Sequence, residues 1–368
     1  MSSRSSVQPL VLLLFSATLI CPASTSLEAQ TSAAPVEMVT GSAHPFDSAA
    51  ERATVLGLLE RARQNISLHG PGSTPFVMHL TFSAAGAVEY TGQGELDETY
   101  VAMGRNRWSA RLGSYWQDRL FLDSGMFDQR AGSVPLRVQM VRGAVFNPMP
   151  GNWQHRAIRL AGAIWQGKDL MCVLLGGNNS TPDHGTRRWD ETEFCVDKAT
   201  GLLQTYSPAS GLYAVYSYQN AFQINDRTFP SDVVFAANGE PVLQIHIESL
   251  RPPTQQDLKA LELTPDFPAV QSTGPLLLGA PLKLVFGAHA PAGAAQKVES
   301  VIVHASIDTA GRVLEAEPLC PSKQTDTQAA LKAVRGADLS SYPGIGDNYQ
   351  REAFLYVKFV PGNSSPGQ

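Results

Sequence analysis

Between residues 75 and 250 apolar and polar residues alternate in short runs. PFVMHLTFSA, AVEYTGQGEL, YVAMGRNRWSARLG, SYWQDRLFLDSG, AGAIWQGKDLMCVLL, ETEFCVD, LLQTYSP, LYAVYSYQNAFQIN, TFPSDVVFAANG and PVLQIHIESL follow one another, many parted by Gly, Asn or Asp. A period of two sends successive side chains to opposite faces, so these runs read as strands of one large antiparallel sheet with one buried face. In PVLQIHIESL, Val242, Gln244, His246 and Glu248 share one face, and Leu243, Ile245, Ile247 and Ser249 the other. Ahead of the strands the period changes. Ser48-Ala-Ala-Glu51 is a capping-box pattern, and Val55, Leu58, Leu59, Ala62 and Ile66 recur at helical spacing. HGPG at 69–72 stops that helix, and a second helix around 130–145 is only weakly signalled.

Residues 298–320, VESVIVHASIDTAGRVLEAEPLC, read as strand, turn and strand. A helix pattern, TDTQAALKAVRG, and a closing apolar run, AFLYVKFV, follow. Val301, Val303, Ala305 and Ile307 alternate toward one core, as do Leu355, Val357 and Phe359, and Ala330, Leu331 and Val334 give the helix its apolar stripe. Thr325-x-x-Gln328 reads as its capping box and Gly336 as its stop. The segment 251–275 carries five prolines and reads as a linker. The expected fold class is α+β: a large, curved, half-barrel-like antiparallel sheet with an N-terminal helix, plus a small C-terminal helix-on-antiparallel-sheet domain. The expected boundaries are a signal peptide at 1–29, a flexible lead-in at 30–46, the sheet domain at 47–250, the linker at 251–275, the small domain at 276–361 and a frayed tail at 362–368.

Composition narrows the function classes. A hydrophobic fraction of 43% and a charged fraction of 17% over 368 residues suit globular domains, not a disordered chain. A net charge of −5, with no basic run, argues against nucleic acid as a partner. The start places Arg4 before an apolar run from Val11 to Ile20, followed by small residues, which is the pattern of a secretory signal. The expected location is therefore periplasmic or secreted, with a lipoprotein or an uncleaved membrane anchor as the lesser alternatives. Ile20 stands where lipoprotein signals carry a small residue, which argues against acylation of Cys21.

An exported chain permits disulfides. Cys172 in DLMCVLL and Cys195 in TEFCVD lie in two runs that read as neighbouring strands. A bridge between them would close a loop of about 22 residues, worth roughly 3 kcal/mol on the chain-entropy model; two buried free thiols are the alternative. Cys320 is left over.

The chain carries no His-Glu-x-x-His, Gly-x-Ser-x-Gly, phosphate loop or Cys-x-x-Cys, and its eight histidines lack metal-ligand spacing. Asp183, His184, Asp190 and Glu191 concentrate in one loop and could form an acid–base pair, against the plainer reading of a solvated loop. His79 and His246 read as satisfied sheet histidines. No catalysis, metal or cofactor is expected. Tyr90, Trp108, Tyr115, Trp116, Phe121, Trp165, Tyr213, Tyr216 and Tyr218 are spread over the sheet, either as core or as the lining of a greasy concave face.

On the strand SVIVHASID, the turn DTAGRV, the strand VLEAEPL, the helix TQAALKAVRG and the strand AFLYVKFV, residues 296–360 resemble the C-terminal domain of TonB-type energy transducers. Residues 48–250 resemble the LolA-like half-barrel of periplasmic lipoprotein carriers, on LLERARQNISLHGPGSTPFVMHLTFSA and TFPSDVVFAANGEPVLQIHIESL. The first resemblance implies an adaptor that captures an envelope protein or peptide, such as the plug region of a receptor. The edge offered would be Phe354–Val360, with Phe354, Tyr356 and Lys358 outward, pairing by strand addition. The second implies a carrier whose concave face holds an acyl chain or lipid.

Overall fold

The computed structural model describes residues 42–69, 73–149, 151, 156–176, 183–264, 271–272, 281–289, 300–319, 324–345 and 350–360. All belong to one compact unit, Ala34–Gln368. The expected signal peptide, most of the lead-in, Cys320 and the frayed tail lie outside the described residues.

Helix α1 (Ala49–Ile66) begins where the Ser48 side chain accepts from the Glu51 amide, while the Glu51 carboxylate accepts from Asp47. Its buried face is the set Val55, Leu58, Leu59, Ala62 and Ile66. A meander of five strands follows: β1 (Phe76–Ala84), β2 (Gly92–Ala102), β3 (Arg105–Leu112), β4 (Tyr115–Leu122) and β5 (Gly125–Ala131). Helix α2 (Leu136–Phe146) comes next. The chain then runs through β6 (Ile158–Trp165), β7 (Lys168–Leu175), β8 (Thr192–Asp197), β9 (Leu203–Ala209) and β10 (Leu212–Ser217). A short hairpin, β11 (Phe222–Ile224) and β12 (Arg227–Phe229), leads to β13 (Asp232–Ala237) and β14 (Glu240–Arg251). Because β14 pairs with β1, both meanders join in one sheet, ordered β5-β4-β3-β2-β1-β14-β13-β10-β9-β8-β7-β6, with a two-residue strand β15 (Gln271–Ser272) added beside β5. Every pairing in it is antiparallel. Strand β1 alternates buried and half-buried throughout, as a period of two requires.

The segment read as a linker is more ordered where it is described. Strand β14 continues to Arg251, and a short helix α3 (Gln255–Lys259) starts at a capping box made by Thr254 and Asp257. Ala43 and His44, placed in the flexible lead-in, bridge to Gly185 and Leu160.

The small sheet holds β16 (Leu282–His289), β17 (Val301–Ile307), β18 (Val313–Leu319) and β19 (Arg351–Val360), with α4 (Gln324–Arg335) packed on it. Thr325 lies inside the first turn of α4 and not at its cap. The order β16-β19-β17-β18 overturns one expectation. Strand β19 is no edge: it pairs in parallel with β16 from Leu282↔Ala353 to His289↔Val360, and antiparallel with β17 on its other flank. From Ala353 to Val357 its backbone is therefore paired on both flanks, and the stretch Phe354–Val360 is not the open edge that strand addition requires. The run Ala353, Phe354, Leu355 is buried on both faces, which is the mark of a central strand. Phe354 stacks on His304, and Tyr356 stacks on Trp189 of the large-sheet part, with ring centroids 4.7 and 4.9 Å apart. Lys358 is exposed, its ammonium 5.6 Å from the Tyr356 ring centre.

The two sheets share a core. Ile302, Leu319 and Phe354 join the large sheet's apolar cluster, whereas Val301, Val303, Ala305, Ile307, Leu355 and Val357 pack with Ala330 and Val334 of α4. Helix α2 lies at the junction, and ten of its eleven residues are buried, two arginines among them. It has no side-chain cap of its own. Glu315 of β18 supplies one, accepting from the Leu136 amide at 2.5 Å.

Candidate functional site

The polar residues of the small sheet face α2. Arg137 makes two 2.6 Å hydrogen bonds to Glu317 and donates twice more to the Ala85 carbonyl. Glu317 also bonds His304 Nδ1 at 3.0 Å, and His304 Nε2 lies 2.7 Å from Glu352. Burial opposes ionisation of Glu317, but Arg137 and His304 outweigh it and hold the carboxyl at about 2. His304 is likewise desolvated, and its two carboxylate partners raise it above the usual imidazole range. Gln139, Gln350 and the Ser306 hydroxyl complete the junction, with Gln139 Nε2 and Gln350 Nε2 2.7 and 2.8 Å from Ser306 Oγ.

Beside this junction is a cavity of about 600 Å³, within the usual size of small-molecule sites. Met140, Phe146, Leu175, Phe194, Phe235 and Leu282 give it an apolar lining drawn from α2, the large sheet and β16. Among the described residues the cationic side chains on its wall are Arg142, Arg156, Lys283 and Arg351, and the acidic ones are Asp190 and Glu352. Lys283 donates to the Asp190 carbonyl and to Thr192 Oγ1, each at 2.8 Å. Desolvation, helped by the nearby Arg187 and Arg156 charges, holds its amine well below the ordinary lysine range.

Arg142 projects from α2 with only 8% of its surface exposed. Its guanidinium carbon lies 3.6 Å from the centre of the Trp108 ring and 5.3 Å from that of Phe146. Among the described residues its Nη1 has no hydrogen-bond partner. Glu98, also buried, bonds His69 through Oε1 at 2.9 Å and leaves Oε2 unpartnered. Burial lowers Arg142 to about 10, the Glu98 charge opposing that effect.

None of the nine aromatics singled out from the sequence lines this cavity. Trp108, Tyr115, Tyr213 and Tyr216 fill the core, Trp116 is exposed, and Trp108 serves instead as the stacking platform behind Arg142. The residues that do line it gave one sequence signal. Arg142, on the cavity wall, and Arg137, at the junction, interrupt LRVQMVRGAVF, a largely apolar helix, and a buried arginine on such a helix needs a partner.

The loop considered for acid–base chemistry is structural. Arg159, fully buried, donates through Nε and Nη2 to Glu191 at 2.8 and 2.6 Å and through its terminal nitrogens to the carbonyls of Asp183, Gly185 and Thr186. Arg188 also pairs with Glu191. His184 is exposed, its ring 6.3 Å from that of His44, and Asp183 is exposed as well. His79 lies between Asp97 and Glu248, and His246 pairs with Asp232 at 2.7 Å, so both are satisfied sheet residues.

Cys172 and Cys195 are directly opposed on β7 and β8 and form a disulfide. Glu193 lies beside them, its Oε1 3.4 Å from Cys195 Sγ, but the joined sulfurs offer no thiolate for a metal. Among the described residues no helix is long and apolar enough to cross a membrane.

No family model matches the chain, and no curated protein matches it. Among solved structures it is similar to a LolA superfamily protein, NE2245, from Nitrosomonas europaea, at 12% identity over 56% of this chain and 97% of that one, with a TM-score of 0.34. MucB in complex with MucA(peri) is 12% identical over 56% of this chain and 58% of its own, with a TM-score of 0.20. LprF from Mycobacterium bovis is 11% identical over 55% and 95%, with a TM-score of 0.23. Likeness at this level establishes neither a shared fold nor a shared activity.

Proposed function

We propose that this chain is a non-catalytic carrier of the cell envelope, periplasmic or secreted, that holds an apolar ligand in the cavity between α2, the large sheet and β16. The lining of Met140, Phe146, Leu175, Phe194, Phe235 and Leu282 around about 600 Å³ carries this reading. The shared core and the buried polar junction favour the cavity over an adaptor role for the small sheet, because they tie that sheet to the carrier body. Capture of an envelope protein or peptide by strand addition would have to use a terminal strand such as β16, not β19.

Native mass spectrometry of protein purified from its own envelope, before and after denaturing extraction, tests the proposal. A co-purifying acyl species is expected. A Cβ built at Gly143, on the cavity wall, meets no atom within 4 Å, so Gly143→Leu should fill the space and reduce the bound fraction without unfolding the protein. A bare mass, together with no uptake of an added long-chain ligand, would refute the carrier reading.

A further inference from the structure

We infer that the ligand of this cavity is an anionic amphiphile whose head group is held by Arg142, with the apolar chain running along Phe146, Phe194, Phe235 and Leu282. This inference rests on the carrier reading. Its observation is the unpartnered Nη1 of a guanidinium that is buried, forms part of the cavity wall and is fixed by stacking on Trp108. A buried donor left unmade carries a desolvation penalty. No described side chain accepts from Nη1: Glu98, whose charge favours the guanidinium, forms no ion pair with Arg142 and is bonded to His69. A carboxylate or phosphate entering the cavity would supply the missing acceptor. A guanidinium presents its donors in a planar fork suited to either group.

The remaining wall is nearly balanced in charge and sets no strong opposing sign. Arg156, Lys283 and Arg351 are set against Asp190 and Glu352, and Glu352 is already bonded to His304. Lys283, whose amine is directed to the Asp190 carbonyl and Thr192, adds polarity without a strong competing claim on the head group.

Isothermal titration of the full chain with dodecanoate, methyl dodecanoate and dodecyl phosphate decides the matter. The wild-type protein should bind at least one of the two anions roughly tenfold to a hundredfold tighter than the ester, the range set by a hydrogen bond to a charged partner. Which anion wins separates a fatty-acid head from a phosphate head. Arg142→Met should erase the preference while keeping the affinity for the ester. Equal affinities for acid, phosphate and ester in the wild type would overturn the head-group assignment and leave the carrier reading standing. Binding of none of the three would overturn both. A preference that survives in Arg142→Met would also overturn the role of Arg142. Should that variant fail to fold, dodecanoate labelled with carbon-13 at the carboxyl serves in the wild type. Its bound resonance should stay ionised at pH values where the free acid has protonated, and a bound pKa at or above that of the free acid would sink the inference.

Discussion

Glu317→Gln tests the junction most directly. The wild-type carboxylate accepts two hydrogen bonds from Arg137 and one from His304, all buried. The amide keeps one acceptor oxygen but removes the charge, leaving the Arg137 guanidinium and His304 facing a neutral group. Removing one partner of such a buried pair costs about 3–5 kcal/mol, because the other charge stays desolvated. Linkage gives a second measure. Glu317 is held at about 2 against an ordinary value of 4.5. That gap, at about 1.4 kcal/mol per pH unit, amounts to about 3 kcal/mol. The His304 shift reports the same interaction from its other side and is not added.

The signs follow from the directions. The depressed carboxyl stabilises the fold above pH 4.5, and that contribution is lost as pH falls toward 2. The raised imidazole stabilises it below about pH 6.5, and that contribution is lost as pH rises through its elevated value. The variant should therefore differ most from wild type between about pH 4.5 and 6.5. Urea unfolding of both proteins, followed by tryptophan fluorescence at several pH values, reads the effect as a shift in midpoint. Arg137→Met, alone and combined with Glu317→Gln, closes a double-mutant cycle with an expected coupling of about 2–3 kcal/mol. A loss below about 1 kcal/mol at pH 5.5, or a difference that does not shrink at pH 2–3, would refute the account of the junction.

Replacing both Cys172 and Cys195 with Ala should lower stability by about 3 kcal/mol, the loop-closure value for a separation of 23 residues; calorimetry of wild type with and without reductant checks it. Gly311→Ala should destabilise the β17–β18 turn by at least about 1–2 kcal/mol, since Gly311 has φ +82° and a Cβ there would collide with the Ser340 backbone; amide exchange at Asp308–Arg312 reads the loosening. Glu191→Gln should free the 183–191 loop from Arg159, visible as faster limited proteolysis, whereas His184→Ala should change stability by no more than about 0.5 kcal/mol. Equal proteolysis of wild type and Glu191→Gln would show that the Arg159 clamp is not what holds the loop.

Local pattern alone determined much of this protein. The period-two runs gave the strands of the large sheet, the spacing of Val55, Leu58, Leu59, Ala62 and Ile66 gave the face of α1, and the opposed cysteine runs gave the disulfide. Each depends on residues near one another or on a period that repeats within a few positions. The place of β19 did not follow from pattern, because an apolar strand pairs equally well as an edge or a centre until its partners are known. The partner on one flank, β16, lies some 70 residues earlier and pairs in parallel. Polar residues of β17 and β18, among them His304, Ser306, Glu315 and Glu317, carry the alternation expected of a solvent face. Three-dimensional packing places α2 against them, and α2 brings Arg137 and Gln139 as their partners. A strand's alternation separates its two faces but does not say what covers each one. That choice is made by contacts between segments as much as 226 residues apart, and the cavity with its partly unpartnered arginine is one result.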